Sequence, residues 1–196
     1  MKAGSNYSVV FGAIASLLCI VGCFSPDPRS VDGALEYLAG AADEGDKVKL
    51  FRGQDQVARH ALDGTFRMRN QAASIIRDTY PTSAVPSALA ELGDALDVSN
   101  SRELFSSRCD AACLAWFSRN IGAATDQQGT GGVVTVRTIR DTELTLRKGT
   151  DGWYGIVWRT DEWVAERDRA ARDLAQVQEN ARVYSARKRL EPNQEK

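Results

Sequence analysis

The chain has 196 residues with 43% hydrophobic and 26% charged side chains, a composition that fits one globular domain with short additions and excludes a disordered polypeptide. Its formal net charge of -1 lacks the basic excess that a nucleic-acid partner draws. Four cysteines and a single histidine, His60, argue against His-rich metal centres and weaken every triad or dyad scheme.

The chain opens with Lys2 and an apolar run from Val9 to Gly22. That run is shorter than the roughly 20 residues a bilayer-spanning helix needs, so it reads as the apolar region of an export signal. It ends Ile20-Val21-Gly22-Cys23 rather than in an A-x-A pattern. The tetrapeptide resembles the bacterial lipobox: an aliphatic residue, a permissive one, a small one and an obligatory cysteine. The resemblance implies cleavage before Cys23, transfer of diacylglycerol to its sulfur, and residues 1–22 as a lipoprotein signal peptide. A thiolate is the strongest side-chain nucleophile for such a transfer, and two or three acyl chains hold a protein durably on a membrane. Cys19 suits the role less well, because bulky Leu18 precedes it. Phe24 stands where enterobacterial lipoproteins retained at the inner membrane carry Asp, so the resemblance points to the outer membrane, facing the periplasm. Residues 23–29 then form a short, Pro-stiffened tether reaching roughly 20–25 Å when extended.

The body, 30–190, reads as one α+β domain. Ser30 caps a helix from Val31 to about Ala42. Apolar spacing predicts a second helix over Asp46–Leu62, closed by Asp63-Gly64, and a third over Thr65–Thr79, stopped by Pro81. Pro86 opens a short helix ended by Gly93. Asn100 and Glu103 form a capping box for a helix from Ser101, and Asp110 begins another that Gly122 ends. The segment "ATDQQGTGG", 124–132, reads as a flexible polar loop.

From Val133 the period changes to two, which predicts a three-stranded antiparallel meander. A turn at Arg140-Asp141-Thr142 pairs Leu144 with Thr138, and one at Gly149-Thr150-Asp151 pairs Leu146 with Tyr154. One face, from Val134 and Val136 to Ile156 and Trp158, is the core. The other carries Arg137, Arg147 and Trp153, a candidate face for an anionic or planar ligand or for a partner. A long helix follows from Thr160 or Asp161 to about Arg189, with Trp163, Ala170, Leu174, Val177, Ala181 and Tyr184 in a heptad-like seam. Asp168 with Arg172, and Arg169 with Asp173, are spaced for surface ion pairs. Residues 191–196 read as a disordered tail. This order of elements resembles that of uncharacterised bacterial envelope lipoproteins.

Cys109 and Cys113 are spaced too widely for a disulfide inside one regular helix, but Cys109 can swing towards Cys113 if the helix starts at Asp110. An oxidising compartment favours that bond. Two buried thiols, or a redox or metal pair, are the alternatives. His60 reads as a surface side chain, and "GTGG" lacks the Lys-Ser/Thr of a phosphate loop. The expected role is non-enzymatic and cofactor-free: a binding or assembly module, held to the membrane through its N-terminal lipid and contacting an envelope partner through the C-terminal helix. A small-ligand carrier with a pocket between sheet and helices is the alternative, and an envelope hydrolase the least supported one.

Overall fold

The computed structural model describes residues 26–190; the expected signal peptide over 1–22, Cys23 and the expected tail over 191–196 lie outside them. Ser30 caps α1 (Val31–Asp43) through the Gly33 N–H at 3.1 Å, and the helix buries Ala34, Leu35, Leu38, Ala41 and Ala42. Asp46 caps α2, which is only Lys47–Arg52. The single helix expected over Asp46–Leu62 is broken at Gly53–Asp55. A side chain on Gly53 would meet Leu38 Cδ2 at 2.3 Å, so the chain passes α1 there as glycine. Gln54 and Asp55 then run beside the last strand, with Asp55 N–H on the Ile156 carbonyl (2.9 Å) and Ile156 N–H on the Gly53 carbonyl (2.8 Å).

Asp55 restarts the helix as the cap of α3 (Gln56–Thr79). This helix runs straight through Asp63-Gly64, where a stop was expected. Gly64 is buried, and a Cβ there would stand 3.1 Å from Arg167 Cγ on the C-terminal helix. The glycine serves close helix approach rather than termination. After Pro81 come α4 (Val85–Ala90), a 3-10 turn (Gly93–Leu96), α5 (Ser101–Arg108) and α6 (Ala111–Asn120). Asn100 caps α5 through Arg102 and Glu103 N–H, while the Glu103 carboxylate reaches back to Ser99 N–H at 2.8 Å.

The sheet has four antiparallel strands in the order β1-β2-β3-β4: Ala124–Thr130, Val133–Thr138, Glu143–Lys148 and Tyr154–Ile156. The predicted loop at 124–132 is therefore mostly strand β1, with Gly131-Gly132 as a two-residue turn at φ 66° and 86°. Positive φ at both turn positions matches the twist of a tight hairpin, and glycine meets it without strain. β1 is a polar, exposed edge strand, which is why it shows no apolar alternation.

The two following turns have three residues, as expected, but each sits one position from the predicted place. Val136 pairs with Leu144 and Val134 with Leu146; Leu146 pairs with Ile156. In both turns the third residue is left-handed, Asp141 at φ 56° and Gly152 at φ 83°. The assignment of residues to the two faces survives, because a shift of two in pairing preserves it.

α7 (Thr160–Leu190) packs along α3, and the two run parallel. Thr160 meets Asp55 at their starts, Asp173 meets Arg69 midway (2.6 Å), and Tyr184 meets Tyr80 at the far end with ring centroids 4.8 Å apart. The α7 seam thus packs within the domain. Neither expected surface pair forms: Asp168 turns to Arg167 and Asp173 to Arg69. Between the sheet and the helices the space is filled by aliphatic side chains such as Leu35, Leu104 and Leu146 together with aromatic rings, the ring centroids of Phe117 and Trp158 being 5.0 Å apart and those of Phe105 and Trp163 6.5 Å.

Candidate functional site

The last part of the expected tether over 23–29 is seated on the body from Pro26 onward. Ser30 N–H bonds the Asp27 carbonyl at 3.1 Å, and Tyr154 N–H on β4 bonds the Pro28 carbonyl at 2.8 Å. The turn lies so close to α1 that a Cβ on Gly33 would stand 2.1 Å from the Asp27 carbonyl oxygen. Pro28 is buried.

Beside this turn an open groove of about 350 Å³ separates α1 from the β3–β4 loop. Its lining is mainly apolar, from Pro26, Pro28, Tyr37, Gly40 and Trp153. Tyr37 and Trp153 meet edge to face, ring centroids 6.1 Å apart. Burial pushes the Tyr37 phenol above its ordinary value, so it is neutral at physiological pH. At the rim Lys49 pairs with Glu44 at 2.5 Å, and that carboxylate holds the ammonium above its ordinary value.

The loop presenting Trp153 is fixed to the start of α3. Gln56 Oε1 accepts the Thr150 N–H at 2.8 Å, Arg59 reaches Asp151 at 3.0 Å, and Asp151 accepts the Trp153 N–H at 3.1 Å. Burial opposes ionisation of Asp151, but Arg59 and the Trp153 N–H together hold its carboxyl below the ordinary range.

The three residues of the expected ligand face do not converge. Arg147 turns to Asp55, Arg137 pairs with Asp141 in solvent at 3.2 Å, and Trp153 packs on Tyr37. Asp55, fully buried, organises a polar junction instead. Its Oδ1 accepts Ala58 N–H (2.9 Å) and the Thr160 hydroxyl (3.1 Å), and its Oδ2 takes the Arg147 guanidinium. Thr160 thus ties the start of α7 to this carboxylate. A second junction centres on Arg108, which reaches Asp94 (2.7 Å) and Glu166 (2.5 Å) and lies 6.0 Å from the Trp163 ring centroid. The bond from Arg108 holds the Asp94 carboxyl below its ordinary value, and Asp94 in turn raises the guanidinium.

Cys109 and Cys113 form a disulfide with Cα atoms 5.0 Å apart. Cys109 caps the end of α5 and lies outside α6, and Asp110 caps α6 through Cys113 N–H. Both sulfurs are buried, and the bond closes the corner between the helices. His60 is exposed on α3. Among the described residues no group of three His, Cys, Asp or Glu side chains is placed to hold a metal ion, and no helix is long and apolar enough to cross a membrane.

Sequence patterns singled out neither Asp55 nor Tyr37. Asp55 falls inside the helix expected over Asp46–Leu62, which hides its capping role, and Tyr37 is an aromatic off the inward stripe of α1. Compared with family models, curated proteins and solved structures, the chain matches none.

Proposed function

We propose that this chain is a bacterial lipoprotein, acylated at Cys23, whose body is a non-enzymatic binding or assembly module at the outer membrane. The observation that carries the proposal is Ile20-Val21-Gly22-Cys23 at the end of a 14-residue apolar run, Val9–Gly22. The Cys109–Cys113 disulfide supports an oxidising compartment such as the periplasm. A residue inventory with one exposed histidine favours binding over catalysis. The filled apolar core between sheet and helices favours a partner module over an internal ligand carrier. The partner contact we favour is the outward side of α7 and its basic end, where Arg182, Arg187, Lys188 and Arg189 are exposed.

Intact mass of the protein purified from bacterial membranes tests the anchor. The expected mass is that of a chain beginning at Cys23 plus its acyl groups, and Cys23→Ala is expected to leave the membrane fraction. Retention of Cys23→Ala at wild-type level refutes it. Photocrosslinkers on the outward side of α7 are expected to trap one discrete envelope protein, and uniform failure along the helix counts against a partner there.

A further inference from the structure

We infer that the groove between α1 and the β3–β4 loop is a membrane-docking surface, which seats Tyr37 and Trp153 at the headgroup level of the bilayer. The inference rests on the proposed acylation of Cys23 and adds which side of the body faces the lipid.

The first support is reach. Pro26 lines the groove, and only three chain steps separate it from Cys23, at most about 11 Å of extended polypeptide. The exit point does not swing, because the Pro28 carbonyl is bonded to β4 and the Asp27–Ser30 turn is pressed on Gly33. A sulfur carrying acyl chains must therefore bring the bilayer surface to this side of the molecule. The far end of α3, at Tyr80, lies a helix length of roughly 36 Å away.

The second support is chemistry. Tryptophan and tyrosine rings have an apolar body and a polar edge, and they concentrate where hydrocarbon gives way to water. Trp153 makes no side-chain hydrogen bond among the described residues, which leaves its indole N–H for a headgroup. The rim residues Glu36, Glu44 and Lys49 sum to one negative charge, so attraction to anionic lipid is not the driving term. Docking is apolar, and it should resist added salt.

The experiment uses the full chain processed in bacteria, with acylation of Cys23 established first by intact mass. The protein is reconstituted into phosphatidylethanolamine–phosphatidylglycerol vesicles carrying nitroxide labels at single positions. Gly40→Cys places a label in the groove, where a Cβ meets nothing within 4 Å. Val183→Cys places one at the distant end, where the native side chain is 39% exposed. The Gly40 label is expected to collide with oxygen and to be shielded several-fold from a water-soluble nickel chelate, unchanged by salt. The Val183 label is expected to meet the chelate freely. In the unlabelled protein, brominated lipid should quench tryptophan fluorescence, and Trp153→Phe should lose that quenching. Acylated Cys23 with both labels equally open to the chelate overturns the docking surface and leaves the anchor standing. Unmodified Cys23 overturns both.

Discussion

Replacing Asp55 with alanine tests whether one buried carboxylate joins the helical pair to the sheet. The side chain caps α3, receives the Thr160 hydroxyl that begins α7, and takes Arg147 from β3. Loss of the cap costs about 1 kcal/mol. Thr160 is 5% exposed, so its hydroxyl loses its partner without gaining water, at roughly 1–3 kcal/mol. Arg147 is 37% exposed and can turn to solvent, so the lost ion pair is discounted to at most about 1 kcal/mol. The sum for Asp55→Ala is roughly 2–5 kcal/mol, and for a chain this size each kcal/mol lowers the melting temperature by about 2–4 °C. Asp55→Asn keeps an oxygen for Ala58 and Thr160 and should lose less than half as much. Arg147→Met should be the most harmful of the three, because it strands a fully buried carboxylate without its cation. Urea unfolding monitored by circular dichroism gives the three values. If Asp55→Ala costs under about 1 kcal/mol, or if Asn and Ala are equivalent, the junction is not what holds α3 and α7 in register.

The remaining predictions address other ties. Replacing Cys109 and Cys113 with serine removes a crosslink around a very short loop and should cost about 2 kcal/mol by the chain-entropy estimate, read as a lower urea midpoint; no change would mean that the helix corner is held by packing alone. Asp94→Asn should be less stable than wild type at neutral pH. The folded-state carboxyl is depressed from its ordinary 3.8, so its contribution is present above that value and lost as pH falls through the lower folded value. Urea midpoints of the two proteins should therefore converge in acid, and a constant gap down to pH 2 would refute the linkage. Gly33→Ala should expel the Asp27–Ser30 turn from α1 and lose the Ser30 cap, worth about 1 kcal/mol, so the melting temperature should fall by a few degrees and trypsin should cut after Arg29 faster than in wild type; equal cutting rates would show that the turn stays seated.

What the sequence made legible was local. Ser30, Asn100 and Asp110 announce helices because a short polar side chain before an apolar run satisfies the first free N–H groups from within a few residues. The disulfide was legible for the same reason, since the cap at Asp110 places Cys109 outside the helix. The break at Gly53–Asp55 was not legible, because its causes are Leu38 across the core and a strand a hundred residues later. Strand β1 was hidden by its polarity: an edge exposed on both faces carries no alternation to read, and only Gly131-Gly132 signalled the hairpin. The two turns sit one position from the expected place because a left-handed third residue, Asp141 or Gly152, decides them, and strand alternation carries no sign of it. At the candidate site the faces were assigned correctly, yet Arg147 and Trp153 found partners at Asp55 and Tyr37, far away in sequence.

These long-range ties give the molecule a direction. The Pro28 carbonyl is held by Tyr154, and two residues along the same strand Ile156 is bonded to Gly53 and Asp55. Asp55 in turn starts α3 and receives Thr160, from which α7 departs parallel to it. The point where the chain enters the body and the point from which both long helices leave are therefore joined through one short strand. A parallel pair anchored at one end has no connecting turn at the other, so its Tyr80–Tyr184 end is closed by side-chain packing and by the Tyr80 hydroxyl on the Val177 carbonyl at 3.4 Å. Under the proposed anchoring, the rigid and cross-tied end stands at the bilayer. Under the same proposal the basic end of α7, where Arg187, Lys188 and Arg189 are exposed, points away from it.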